Sequence, residues 1–421
     1  MDTHPVQLVI EDDLQRKRLT VFFRLILAIP HFIWVLLWTL LTIVLAVVTW
    51  LVTLVAGKPP DGLYRYMCAY VRYQVHLSAY LALAGDPYPA FNGEEGEYPI
   101  DVKLPERAAQ SRWKTLVRMF LAVPALLLAA TLGGSGSARF STGSRSSAGV
   151  SGGGALVTSC AILGWFACLV RGRMPKGLRD AAVYGIGYSA QMLAYVLFVT
   201  DRYPNSDPTA MLAGVERPPE HVVRLVGDAH DLRRSRITVF FRLLLALPHL
   251  IWLVLWAVVA VLAAIANWFV TVVRGKPAAS LHGFLSRFVR YQLHVSAFLY
   301  LAANPFPAFG GREGTYPLDL VLPQPGRQNR WKTGFRIVLA VPALIVNSAL
   351  GGSLFAAGVL TWFAALVKGT APWGLRNLMA YALRYQAQVN AYGHLLTDVY
   401  PHASPLEGAA APEPDAFDYS V

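Results

Sequence analysis

A seven-residue block running from arginine to proline through apolar sequence occurs four times in this chain of 421 residues. It reads Arg24-Leu-Ile-Leu-Ala28-Ile-Pro30, Arg118-Met-Phe-Leu-Ala122-Val-Pro124, Arg242-Leu-Leu-Leu-Ala246-Leu-Pro248 and Arg336-Ile-Val-Leu-Ala340-Val-Pro342. The interval from Arg24 to Arg242 equals that from Arg118 to Arg336, so the chain is two copies of a larger piece, each made of two related units. A fixed-period repeat restricts the fold to one supersecondary unit used again and again. The units divide the chain at 1–97, 98–215, 216–315 and 316–403, with a Gly/Ser-rich insertion at 133–154 and a tail at 404–421 that carries Glu407, Glu413, Asp415 and Asp418 and is expected to be solvated and disordered.

The apolar segments point to a membrane. Hydrophobic residues make up 55% and charged residues only 15% of the chain, and the mean hydropathy is +0.42. Leu25 to Val55 holds no charged side chain over 31 residues, and Leu243 to Val273 repeats this; a bilayer core asks for about 20 apolar residues per helix. The net charge of +12 sits at the edges of these segments, as in Gln15-Arg16-Lys17-Arg18, Arg112-Trp113-Lys114, Arg233-Arg234-Ser235-Arg236 and Arg330-Trp331-Lys332. Such flanks read as cytoplasmic anchors on an anionic leaflet. A nucleic-acid partner is excluded, because that reading needs a soluble module with a basic face. Cys68, Cys160 and Cys168 lie in apolar stretches and form neither a disulfide framework nor a metal spacing. The acidic, cation-free start of the chain is unlike a secretory signal peptide and is expected to stay cytoplasmic.

Each unit opens on a short alternating segment: Val6–Ile10, Tyr98–Leu104, Val222–Val226 and Tyr316–Leu322. Period-two patterning argues strand, and four lone strands can satisfy their edges by pairing into one small cytoplasmic sheet. The arginine-to-proline block follows, then a tryptophan at a constant distance beyond the proline in units one, three and four (Trp50, Trp268, Trp362). In unit two the interval from Pro124 to Trp165 is twice as long, and the excess is the Gly/Ser-rich stretch that also holds Arg145. Flexible, arginine-bearing backbone does not rest in hydrocarbon. If that point lies outside the lipid in all four units, each apolar run is a hairpin of two helices of roughly 17 to 20 residues. Units one and three have no glycine or proline there, which favours instead one long helix kinked at Pro30 or Pro248, its arginine snorkelling to the interface. Both geometries stay open at the level of sequence. Either gives about eight membrane helices in a mainly α, polytopic protein, on two crossings per unit.

The apolar run stops at Gly57-Lys58-Pro59 and at its counterparts beginning Gly172, Gly275 and Lys368-Gly369, where glycine ends a helix and proline blocks its continuation. A more polar helix follows. It carries Arg72-Tyr73-Gln74 with His76, Arg290-Tyr291-Gln292 with His294, and Arg384-Tyr385-Gln386 with Gln388, while unit two has Gly187-Tyr188-Ser189 and Gln191. Arg72 and His76, like Arg290 and His294, share a face at i, i+4 spacing. Laying this amphipathic helix in the cytoplasmic interface keeps nearly every cation inside, so a hairpin plus an interfacial helix is the preferred layout. Asp86, Asp201, Asn304 and Asp398 close the units as turn residues before a Pro- or Tyr/Phe-Pro step.

The blocks Arg-x-x-Leu-Ala-x-Pro-His at Arg24–His31 and Arg242–His249, the tryptophan-to-glycine segments ending at Gly57, Gly172, Gly275 and Gly369, and the Thr-Asp-x-Tyr-Pro closures at Thr200–Pro204 and Thr397–Pro401 carry a resemblance. Together they resemble a family of uncharacterised bacterial integral membrane proteins, common in actinobacteria and defined by a tandem domain of unknown function. The resemblance implies a multi-pass protein of the bacterial cell membrane and implies no reaction, cofactor or ligand. The residues themselves show no nucleophile with a base, no carboxylate pair and no metal cluster, so no enzyme is expected. His31 and His249 lack metal partners at helical spacing and read as hydrogen-bonded histidines. What remains is a non-catalytic scaffold that binds membrane lipids or another membrane protein, with Arg72, His76, Arg290, His294, Arg384, Lys58 and Lys276 as candidate residues for anionic headgroups. The alternative is a transporter or channel whose Arg/Tyr/Gln/His helices line a pathway.

Overall fold

The computed structural model describes residues 4–133, 155–227 and 232–408, so the bulk of the Gly/Ser insertion and residues 409–421 of the tail lie outside the described residues. In chain order, unit one contributes β1 (Gln7–Ile10), α1 (Arg18–Leu27), α2 (Ile29–Ala56) and α3 (Asp61–Leu81). Unit two contributes β2 (Ile100–Lys103), α4 (Arg112–Gly133), α5 (Leu156–Arg171), α6 (Lys176–Val196) and the one-turn α7 (Pro208–Met211). Unit three follows as β3 (Arg224–Gly227), α8 (Arg236–Phe240), α9 (Arg242–Arg274) and α10 (Ala279–Leu299). Unit four is β4 (Leu318–Val321), α11 (Arg330–Gly334), α12 (Arg336–Lys368) and α13 (Trp373–Gly393).

The apolar runs of units one, three and four are single long helices, not hairpins. α9 and α12 are each 33 residues and pass through Pro248 and Pro342 without interruption; α2 is 28 residues and begins beside Pro30, one residue after α1. Gly351 and Gly352 are helical, with open space around them. No turn forms at this glycine pair, and α12 runs through it. Among the described residues four helices, α2, α4, α9 and α12, are long and apolar enough to cross a membrane by length and composition, short of the eight expected. The apolar run of each unit ends on a left-handed glycine (Gly57, Gly172, Gly275, Gly369, φ 66 to 74°), the conformation that releases the chain from the helix axis without a Cβ clash.

Within each half the apolar helices of the two units run antiparallel, tied by reciprocal indole bonds. Trp50 Nε1 donates to the Thr115 carbonyl (3.0 Å) while Trp165 donates to Val21 (3.0 Å); Trp268 donates to Thr333 (2.9 Å) and Trp362 to Val239 (3.0 Å). Across the molecule α2 packs on α4, α4 and α5 on α12, and α12 contacts unit three at α8, whereas among the described residues α2 and α9 form no extended packing on each other. The long helices therefore form an open row with α2 and α9 outermost. The polar helices make a second row, α3 on α6 and α10 on α13, joined by the Tyr184–Tyr381 ring contact. They are buried along nearly their whole length, so the interfacial placement expected for them is corrected: they are core, not surface.

Two separate two-stranded antiparallel sheets replace the single expected sheet. β1 pairs with β2 from Gln7↔Lys103 to Ile10↔Ile100, and β3 with β4 from Arg224↔Val321 to Gly227↔Leu318. Pairing stays within a half because each strand also lies on the polar helix of its sister unit: β2 on α3, and the start of β1 on α6 through Gln191 Nε2 to the Val6 carbonyl (3.0 Å). The beginning of the tail is packed as well, with Ser404 and Leu406 buried, so the solvated tail does not start at 404.

Candidate functional site

The four repeat arginines do not snorkel. Each folds inward, is at most 2% exposed, and bonds the turn that follows its unit's polar helix, with Arg24 and Arg118 also reaching a carbonyl of the helix's last turn. Arg24 Nη1 donates to the carbonyls of Tyr80 (2.7 Å) and Gly85 (3.1 Å), and Nη2 to Asp86 Oδ1 (3.0 Å). Arg118 reaches the Tyr195 carbonyl (2.8 Å), Gln110 Oε1 (2.9 Å) and Asp201 Oδ1 (2.7 Å); Arg336 reaches the Thr397 carbonyl (3.1 Å), Gln328 Oε1 (2.8 Å) and Asp398 Oδ1 (3.0 Å). Arg242 bonds the carbonyls of Ala303 (2.9 Å) and Asn304 (3.2 Å) and, among the described residues, no carboxylate, since Asn304 stands where the other units have aspartate. A cation over the unpaired carbonyls at a helix C-terminus satisfies both the hydrogen-bond deficit and the dipole. The turn aspartates thus pair with arginines at the opposite end of their own unit, a partnership that local turn chemistry hides.

Units one and three hold a second cluster between polar helix and strand. His76 Nε2 donates to Asp101 Oδ1 (2.9 Å) on β2, and the ring stacks on Tyr98 (5.2 Å between centroids). The other carboxylate oxygen accepts from the Gly96 amide (2.7 Å), and Arg72 Nη2 donates to Glu95 (3.0 Å). Unit three repeats this with His294–Asp319 (3.0 Å), Tyr316, the Gly314 amide (2.6 Å), and Arg290 on Glu313 (3.4 Å) and the Leu320 carbonyl (3.1 Å). Burial alone would raise the Asp101 and Asp319 pKa values, but the histidine bond and two backbone amides overcome it and hold both carboxyls below the ordinary aspartate value. The connecting loop is drawn tight against the helix by Gly93 and Gly311, where a Cβ would lie 2.2 Å from the Ala69 carbonyl and 2.1 Å from that of Arg287. A shared Phe-x-Gly-x-x-Gly-x-Tyr-Pro-x-Asp spacing at Phe91–Asp101 and Phe309–Asp319 carries this cluster and is readable in the sequence.

Units two and four fill the same positions differently. Gln191 and Gln388 bond the carbonyls of Val6 (3.0 Å) and Val223 (3.2 Å), and Gly187 leaves room for Leu8 and Met211 where the others carry arginine. Arg384 donates to the carbonyls of Ser404 (2.7 Å) and Pro405 (3.0 Å) and borders a cleft of about 180 Å³ with His221, Gln388 and His402. Burial, and then Arg384, push the His402 imidazole down to about 4. His31 and His249 are buried and hydrogen-bonded through Nδ1 to Tyr73 (2.7 Å) and Tyr291 (2.6 Å), with Phe91 and Phe309 stacked on them.

Of the candidate headgroup residues, Arg72, His76, Arg290, His294 and Arg384 are therefore buried and internally partnered, and only Lys58 and Lys276 are exposed, each just past the end of a long helix. Among the described residues no group of three or more His, Cys, Asp or Glu side chains gathers as a metal site. The most extensive surface feature is apolar. Leu36, Leu40, Val44, Val47 and Leu51 on α2, and Trp252, Val254, Leu262 and Phe269 on α9, are exposed, as are Phe120 on α4 and Ile337 on α12. At 1.5 Å per residue α2 (28 residues) and α9 and α12 (33 each) are roughly 40 to 50 Å long, and side chains exposed along them make an apolar surface beyond the few hundred Å² usual on a soluble monomer.

A family model described as a domain of unknown function (DUF4389) matches residues 18–92, 151–206, 236–310 and 330–404. The chain belongs to this family, as four tandem copies. The DUF4389 matches run from the basic link to the closing turn of each unit and leave all four strands outside; in unit two the match starts at 151, past α4, because the insertion divides the long helix. Nothing among curated proteins or solved structures matches the chain.

Proposed function

We propose that this DUF4389 protein is a non-catalytic component of the bacterial cell membrane, with its N-terminus in the cytoplasm, which scaffolds a membrane patch by holding anionic lipid headgroups or a partner membrane protein at its edges. The observation that carries this reading is the exposed apolar row, bounded at its ends by exposed cations: Lys17, Arg18 and Arg171 at one end of the first half, Lys58, Arg112 and Lys114 at the other. Apolar surface of this extent is stable only against lipid or another apolar surface, and flanking cations add about 1 kcal/mol each toward an anionic leaflet. A catalytic role is disfavoured because His76 and His294 are fully buried, with their carboxylates facing backbone amides instead of a reacting group.

Native mass spectrometry of detergent-purified protein tests the headgroup part. Retained anionic lipid that falls after Lys58→Gln with Lys276→Gln, and persists after Arg72→Ala with Arg290→Ala, is expected; no retained anionic lipid in any sample removes it. A transporter is the second reading, favoured by one observation: the two units of each half are inverted with respect to each other, the arrangement many transporters use. It is the weaker one because the side chains that would line a path are engaged in the core, Gln74 with Tyr70 (2.8 Å) and Gln292 with Asn390 (3.0 Å). Thiol labelling of Gln74→Cys and Gln292→Cys from both sides of the membrane would reverse that preference.

A further inference from the structure

The apolar row is attached to a polar layer along its length, and this constrains how it meets a bilayer. Tyr73 of α3 stands against His31 of α2, and Tyr66 against Trp38 and Thr42, so the middle of α3 is level with the first half of the uncharged run Leu25–Val55. On the other side of α3 lies the segment from Glu94 to Arg107, which from Asp101 onward runs back toward the start of the helix. Glu95 meets Arg72, Asp101 meets His76, Pro105 meets Tyr64, and Arg107 reaches the Pro59 carbonyl (3.0 Å). Glu94, Glu95, Glu97 and Lys103 on this segment are exposed, and the two-stranded sheet has open edges. Unit three repeats the arrangement with Glu313 on Arg290, and Arg312 and Glu313 are exposed.

Upright helices would carry these charges and sheet edges into the hydrocarbon on the outside of the molecule, where unpaired backbone is not tolerated. Length argues the same way. Thirty-one uncharged residues extend about 46 Å at 1.5 Å per residue, against a hydrocarbon core of about 30 Å, a mismatch that needs a tilt of roughly 50°, beyond the usual range of helix tilts. Charge agrees too. Both ends of α2, α9 and α12 are basic, with Lys17 and Lys58 flanking the first, Arg236 and Lys276 the second, and Lys332 and Lys368 the third, which a crossing helix would place on opposite faces of the membrane against the positive-inside bias.

We infer that the long helices lie in the membrane plane, immersed from one side in a single leaflet, with acyl chains against their outer faces, headgroups at the cationic rim, and the polar helices and sheets in water. The inference rests on the membrane reading above and specifies its geometry. It replaces crossings by a raft: the charge-free stretch is long because it runs along the leaflet, and one leaflet's headgroups meet the cations at both ends.

Spin labels on the outward stripe of α2, introduced singly as Ile29→Cys, Leu36→Cys, Leu40→Cys, Val47→Cys and Leu51→Cys in the full-length chain with its native cysteines changed to alanine, report depth through collisions with oxygen and with a water-soluble nickel chelate. In vesicles of phosphatidylglycerol and phosphatidylethanolamine the five sites are expected at one shallow depth. A profile peaking near Leu40 and falling toward Ile29 and Leu51 overturns the in-plane geometry while leaving the membrane reading standing. Failure to float with the vesicles, with all five sites accessible to nickel, sinks both. Spin–spin broadening that survives dilution with excess lipid would assign the face to a second copy and overturn the proposal. Impermeant maleimide gives an independent readout in cells: Lys17→Cys and Lys58→Cys are expected to label from the same side, and labelling from opposite sides refutes it.

Discussion

At the scale of single residues the molecule is held by long-range polar contacts that local sequence does not announce. The arginine that punctuates each unit ties its helix to the turn after the polar helix, and in units one, two and four it also pairs with an aspartate there. Asp86→Asn is expected to lower, and Asn304→Asp to raise, the midpoint of thermal unfolding, each by the equivalent of about 1 kcal/mol or less, because the aspartates are partly exposed and their ion pairs screened. Arg118→Met is far more damaging, about 2–4 kcal/mol, since it leaves the Tyr195 and Thr200 carbonyls and Gln110 buried without a donor. The His–Asp clusters make stability pH-dependent in one direction. Asp101 and Asp319 have native pKa values below the unfolded one, so their contribution is complete above the unfolded aspartate value near 4 and is lost as pH falls through the native value. The double variant Asp101→Asn, Asp319→Asn should therefore be less stable at neutral pH yet lose less of its remaining stability below about pH 4, as circular dichroism across an acid titration would show. The histidine and arginine of this cluster are visible in the sequence as an i, i+4 pair; their carboxylates, on strands, are not linked to them there, because pairing between elements depends on packing and not on spacing.

At the scale of elements, helix ends and loop approach are governed by glycine, and the consequences differ site by site. Gly93 and Gly96 both have positive φ (66° and 80°), but only Gly93 presses on backbone. Gly96→Ala should cost about 1 kcal/mol of backbone strain, whereas Gly93→Ala must in addition push the loop off the Ala69 carbonyl and is expected to cost several times more; paired thermal melts compare the two directly. Non-glycine residues take the same conformation where each polar helix ends, at Leu83, Phe198, Leu301 and Leu395. There the strain is matched by a bond to that residue's own carbonyl, from Arg16, Gln110, Arg234 and Gln328 respectively. Helix ends at Gly57, Gly275 and Gly369, and the strands themselves, are legible from glycine, proline and alternation. The hairpin reading fails because the insertion that suggests it belongs to unit two alone, and the other three units keep the helix continuous or break it only beside Pro30.

At the scale of the whole molecule the sheets lie on the polar helices and the polar helices on the long apolar helices, whose exposed side chains are the surface proposed to meet lipid. A raft lying in one leaflet does not sense bilayer thickness, while a crossing helix must tilt or stretch to match it. The thermal midpoint in vesicles made from short-chain and from long-chain phospholipids is accordingly expected to differ little at equal headgroup composition, and a strong optimum at one chain length would speak for crossings. Sequence alone determined the fourfold repeat, the long charge-free helices, their cationic ends and the positions of the strands, because periodicity, charge and helix-stop chemistry are properties of neighbouring residues. Tertiary structure alone decided that the polar helices are core, that the strands pair within each half, and that the turn aspartates and repeat arginines are partners. Those features arise from which element lies beside which, and contacts between segments far apart along the chain leave no local periodicity to read.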